Sequence, residues 1–163
     1  MQDKRATRVL GEAKGARWRG SPRRLSCANE VVAHYLDGRV VKGVSHDIDP
    51  ARPTCHIRTP DRQGIEVKLV DLKALFFVKS LAGDPTYTEG STVEAGDQRA
   101  RGAYRIEVQF ADGERVVGMT VRYPPVRPFF YVVPADGRSN NLRILINRAA
   151  VVRFEQPPSG TPL

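Results

Sequence analysis

Cysteine, histidine, methionine and tryptophan are all scarce in this 163-residue chain, at two, three, two and one copies. Cys27 and Cys55 make no CxxC pair and the histidines supply no ligand ladder, so the sequence offers no disulfide framework, zinc ribbon, metal site or cofactor site. Both thiols are expected to stay reduced. Long hydrophobic runs are missing as well. No stretch approaches the roughly 18 apolar residues of a membrane helix, and the opening "MQDKRATRVLGEAKGARWRG" lacks the apolar core of a secretory signal. A cytoplasmic protein without membrane contact is the expectation. Catalytic groupings are absent too: no nucleophile stands with a base and no carboxylates pair in a cleft pattern, so the chain is not read as an enzyme.

Acidic residues are outnumbered, 18 against 26 basic ones, for a net charge of +8. Such a surplus points to an anionic partner until it is located along the chain. Residues 1–30 hold eight basic residues and three acidic ones, whereas the remaining 133 carry 18 and 15. The basic character therefore belongs mainly to an N-terminal arm or short helix, residues 1–29, which includes Arg17, Arg19, Arg23 and Arg24. Arginine outnumbers lysine 20 to 6, a bias that GC-rich bacterial genomes tend to encode.

What is present is a repeat. Asp37-Gly38 falls on Asp112-Gly113, and without a gap Val41 falls on Val116, Gly43 on Gly118, Pro50 on Pro125, Arg52 on Arg127, Pro53 on Pro128 and Asp61 on Asp136. With one inserted residue, Val67 to Val78 falls on Arg143 to Phe154, pairing Asp71 with Asn147 and Leu75 with Val151. The chain reads as an internal duplication with units at 30–79 and 104–155, a polar linker at 80–103 and a Pro-rich tail at 156–163.

Each unit reads as five short strands. "VVAHY" and "RIEVQF" alternate apolar and polar positions, as a strand with one buried face does. Asp-Gly followed by an apolar run predicts a tight hairpin, since glycine supplies the positive φ of the turn. Gly43 and Gly118 then sit inside the second strand, where glycine marks a bulge, a bend or a close backbone approach. A proline loop follows ("DIDPARP", "YPPVRP"), then "TCHIR" or "FFYVV", then two more strands. Five strands in so short a unit, bent at a glycine, predict a small closed barrel. Two tandem five-stranded barrels with a basic N-terminal segment form the expected mostly β architecture.

"VVAHYLDGRVVKGVSHDID" and "DLKALFFV" resemble the two motifs of the Sm-like (Hfq-type) family of small SH3-like barrels. That resemblance implies a β-barrel of five strands and a tendency to form rings, hence an oligomer. The loops that bind RNA in that family are rewritten here around prolines, and the usual Arg-Gly of the second motif is missing. Both units also resemble an uncharacterised bacterial domain family with "DGR..KG" and "DLKA.FFV" blocks. A weaker resemblance is to PilZ domains, receptors for cyclic di-GMP, through Arg19-Gly-Ser-Pro-Arg23 ahead of a strand. There Asp49 replaces the expected serine and Arg52 the expected glycine.

Other residues carry less. Strand alternation turns His34 and His56 outward and Cys55 inward, and the second unit replaces His34, His46, His56 and Cys55 by Gln109, Val121, Tyr131 and Phe130, which reads as surface histidine rather than metal ligation. Arg52 and Arg127 recur between prolines. They either cap loop carbonyls or pair with Asp61 and Asp136, or they form one anion contact per unit. Phe130 is needed for core, while Phe129 and Tyr131 are expected as an interaction surface, between the barrels or with a partner. The expected role is a non-enzymatic binding or adaptor protein with a protein partner. The alternatives are RNA binding through the basic arm and cyclic di-GMP sensing through Arg19 and Arg23.

Overall fold

The computed structural model describes residues 28–155. Cys27, nearly all of the basic arm and the tail from residue 156 lie outside the described residues. The chain is β1 (Asn29–Tyr35), β2 (Val40–Ser45), β3 (Thr54–Arg58), β4 (Gly64–Lys68) and β5 (Leu72–Val78), then β6 (Tyr104–Phe110), β7 (Arg115–Thr120), β8 (Phe129–Pro134), β9 (Asn141–Asn147) and β10 (Val151–Glu155). All ten strands belong to one open antiparallel sheet in the order β10-β6-β7-β8-β9-β5-β1-β2-β3-β4. Among the described residues no ladder joins β4 to β5 or β9 to β10, so neither half is closed into a barrel by its own hydrogen bonds.

The local signals account for the hairpins. In the first, Gly38 N–H donates to Tyr35 O (3.1 Å) and Tyr35 N–H to Arg39 O (2.9 Å); Phe110, Gly113 and Glu114 repeat the pattern. Gly38 and Gly113 take φ of +88° and +87°. The turn is thus a three-residue loop with a left-handed glycine at its end, one residue longer than the tightest hairpin that Asp-Gly suggests. Gly43 and Gly118 serve close approach. A Cβ on Gly43 would stand 2.2 Å from Arg58 O, and one on Gly118 would stand 2.3 Å from Val133 O.

The ladders also correct the second half of the sequence match. Tyr35 pairs with Leu72 as Phe110 pairs with Val151, and Cys55 pairs with Val67 as Phe130 pairs with Ile146. Val67 therefore answers to Ile146, three positions beyond the Arg143 that the one-residue gap implies. The extra residues fall in the β8–β9 connection.

The two halves meet at β5 and β9, paired from Ala74↔Ile146 to Val78↔Asn141. Both faces of this joint are covered. Leu75, Phe77 and Leu145 face a cluster with Val31, Ala33 and Ile57; Ala74, Phe76, Ile144 and Ile146 face the other, with Ile106, Val108 and Phe110. That is why "LKALFFV" is buried at every position and reads as a continuous apolar run instead of an alternating one. Each cluster gathers residues from both ends of its half, β5 and β3–β4 in the first, so each half curls over its own core.

A buried charge ties the halves together at one end. Lys73 at the start of β5, 8% exposed, donates to Asp112 (2.6 Å) and to Glu114 of the second hairpin, and its ammonium lies 5.2 Å from the Phe110 ring centroid. Beside it Asn147 donates to Leu72 O (2.9 Å). Residues 80–103, expected as a linker, are fastened to the second half. Asp136 accepts from Tyr87 Oη (2.5 Å), Gly90 N–H (2.9 Å) and Arg138 N–H (2.8 Å), while Ser80 and Asn140 exchange two hydrogen bonds.

Candidate functional site

The proline loops of the two halves, far apart in sequence, converge. Pro50 and Ala51 from the β2–β3 loop stand across a cavity of about 560 Å³ from the segment Thr120–Tyr131. Gly118 lets β7 run close under β8 before the chain breaks at the proline cluster, and the prolines, which have no N–H to donate, keep the loop off the sheet. The walls are Val121, Pro125, Val126, Pro128 and Phe129, with Arg122 and Arg127 on the lining. Val121 and Val126 are 80% and 73% exposed, an unusual state for two β-branched apolar side chains in one loop.

Arg127 lines this groove, and its guanidinium has no ion-pair or hydrogen-bond partner among the described residues. Arg52 does not line it; its Nε lies 3.9 Å from Asp49 Oδ2 in an exposed pair. The sequence-level pairing of these arginines with Asp61 and Asp136 is not formed: Asp61 accepts from the Thr59 hydroxyl, and Asp136 is taken up by Tyr87, Gly90 and Arg138. Arg17, Arg19, Arg23 and Arg24 lie outside the described residues, and with them the RNA and cyclic di-GMP contacts expected there.

Phe129 and Tyr131 are half-buried rather than a free patch. Both pack on the first half's core although they belong to the second, while Phe130 and Val132 face the second half's core. Tyr131 lies 6.0 Å from Phe77, and the Arg143 guanidinium sits over both rings, at 4.3 Å from Phe77 and 4.9 Å from Tyr131. Burial raises the Tyr131 phenol above its ordinary pKa, which keeps it neutral. The inner wall of the groove is therefore rigid, and its outer wall is a loop.

Chemically the groove can hold an apolar segment and one or two anionic groups; its lining supplies no carboxylate, imidazole or thiol. The remaining Ser, Asp and His grouping lies elsewhere. Asp47 accepts from Ser45 Oγ (3.2 Å) and His56 N–H (2.9 Å), and His56 Nδ1 is 2.7 Å from its other oxygen. The serine gives its proton to the carboxylate, not to the imidazole, so this is not a nucleophile with its base. Hydrogen bonding to Asp47 raises the His56 pKa against the opposing effect of desolvation. Cys55 is buried and its thiol is pushed up to about 11 by burial, so it stays protonated and inert. No group of three or more His, Cys, Asp or Glu among the described residues is placed to hold a metal ion.

The sequence pointed to Arg127 and to the proline loops but missed Val121, Arg122 and Val126. In the sequence they are ordinary residues of a loop that reads "VRYPPVRP", and only the exposure of the two valines in the structure sets them apart. No helix among the described residues is long and apolar enough to cross a membrane. No curated protein and no solved structure matches the chain. Residues 27–156 match DUF6982, a family of unknown function, and the chain belongs to that family.

Proposed function

We propose that the chain is a non-enzymatic binding or adaptor module of the cytoplasm, built from two copies of one five-strand unit of Sm-like or SH3-like type. The identical strand orders β5-β1-β2-β3-β4 and β10-β6-β7-β8-β9 support the duplication, as do the matched hairpins and glycine approaches. The single observation that carries the binding role is the groove between the proline loops. It is concave and apolar, with two cations and no internal partner for Arg127. Its chemistry fits a short extended protein segment with apolar side chains and an acidic residue: the walls take the apolar part and the guanidinium fork takes the carboxylate.

The test is fluorescence anisotropy with labelled apolar peptides of about ten residues, with and without a glutamate. The full chain is compared with Val126→Asp and Arg127→Ala. Acidic apolar peptides should bind, Val126→Asp should abolish binding, and Arg127→Ala should weaken it about tenfold or more, the range of one charge-assisted hydrogen bond. Equal binding by all three proteins would overturn the reading.

A further inference from the structure

On the far side of the joint, two adjoining cavities of about 540 and 800 Å³ share the side chains of His34, Lys42, Asn140 and Asn141 and form one open cleft. One wall is the solvent face of β1 and β2. The other belongs to the second half, and residues 80–89 run along the rim. The floor is apolar: half-buried Val32 is its exposed part, and Phe76, Val78 and Ile144 lie beneath, buried in the second half's core. The His34 imidazole covers part of that floor, 4.6 Å from the Phe76 ring centroid, and desolvation lowers its pKa, so the ring is neutral at pH 7.

The lining of this cleft carries Lys42, Lys79, Arg138 and Arg115, the last paired with Glu107, against Asp84, Glu89 and Glu114, and the donors on Asp84 and Glu89 are neutral, so both keep their charge. Each acidic side chain on the lining is already engaged: Glu89 accepts from Ser139 and Asn141, Glu114 pairs with Lys73, and Asp84 accepts from Thr86. Lys42, Lys79 and Arg138 line the larger cavity; their side chains form no hydrogen bond or ion pair among the described residues, although the charge of Arg138 reaches Asp136. Three cations and the Asp84 and Glu89 carboxylates therefore share a cleft that holds a neutral ring above an apolar floor. The combined size lies at the upper end of, or somewhat above, the ~300–1,000 Å³ usual for small-molecule sites.

We infer that this cleft binds a nucleoside phosphate, with the base laid against His34 and the floor and the phosphates held by Lys42, Lys79 and Arg138. A flat base offers a π-face to the imidazole and the floor, and phosphate oxygens match ammonium and guanidinium donors. Because its walls come from both halves, the site exists only in the joined sheet. It is independent of the proline-loop groove.

Isothermal titration of the full chain at low ionic strength tests the inference, with ATP, ADP, AMP, adenosine, inorganic phosphate and a short oligoribonucleotide as probes. The nucleotides should bind saturably at one site, with adenosine and phosphate each about tenfold weaker or more. Lys42→Ala, Lys79→Ala and Arg138→Ala should each weaken ATP about tenfold, one charge-assisted contact apiece, while Val126→Asp leaves ATP unchanged. Absence of saturable nucleotide binding overturns the inference. So does phosphate binding as tightly as ATP, tight binding confined to the oligoribonucleotide, or ATP affinity that survives removal of all three cations.

Discussion

Replacing Asp112 by Asn together with Glu114 by Gln strands the Lys73 ammonium between the two halves. The side chain of Lys73 is only 10% exposed, whereas those of Asp112 and Glu114 are 53% and 38% exposed. A well-shielded charge-assisted hydrogen bond is worth about 1.5–3 kcal/mol, and solvent at the two carboxylates reduces that to about 1 kcal/mol each. Leaving a mostly buried ammonium without an anion adds a further desolvation cost, so the double variant should lose about 2–4 kcal/mol. Lys73→Met removes the charge and keeps the stem that packs by Phe110; its two former partners are free to hydrate, so it should cost about 1 kcal/mol. Urea denaturation followed by circular dichroism reads the difference. With a slope of about 2 kcal/mol per molar, the double variant's midpoint should fall by about 1–2 M and that of Lys73→Met by about 0.5 M. If the double variant loses no more than Lys73→Met, the argument that Lys73 is held by its anions is wrong.

Three further outcomes follow from the same geometry. Gly118→Ala must push against Val133 O, and should destabilise by about 2–3 kcal/mol or fail to fold, whereas Gly64→Ala, with open space around it, should stay within about 0.5 kcal/mol in the same urea experiment. Hydrogen bonds from Tyr87, Gly90 and Arg138 hold the Asp136 carboxyl down at about 2. Its contribution is therefore full above the ordinary carboxylate pKa near 4 and lost as pH falls towards 2, so Asp136→Asn should cost stability at pH 7 and much less at pH 2. His56 runs the other way: Asp47 raises its folded pKa, its contribution is full below the unfolded value near 6.5 and fades as pH rises through the folded value, and His56→Gln should be more destabilising at pH 5 than at pH 8.

The elements were legible in the sequence because their signals are local. Alternation gave the faces of β1 and β6, Asp-Gly gave the hairpins, and the in-strand glycines gave the close approaches. What the sequence hid is the pairing of distant elements. The run Leu72–Val78 carries apolar residues on both faces because β9 lies beside it and a second core lies beneath, and no residue near it says so. Phe129 and Tyr131 are expected as an interaction surface, between the halves or with a partner, because their own half has no use for them; they pack on the first half's core, and no residue near them in the sequence says which surface they meet. The register of the second repeat is hidden for a related reason. A one-residue gap gave plausible matches for Asn147 and Val151, and only the ladders place the extra residues between β8 and β9. Of the candidate site, the proline loops and Arg127 stood out because they recur in both halves, whereas Val121 and Val126 are ordinary residues until their exposure is known.

The binding role is tested most directly by photo-crosslinking from inside the groove. A benzoylphenylalanine replaces Val121 in the full chain, with a second protein labelled at Val70 (60% exposed on the first half, outside the groove) as the comparison. In the native cell the groove probe should capture a discrete partner through an apolar segment bearing an acidic residue, and that capture should vanish with Val126→Asp. Crosslinks no different from those at Val70, or a discrete partner still captured with Val126→Asp, would contradict the account.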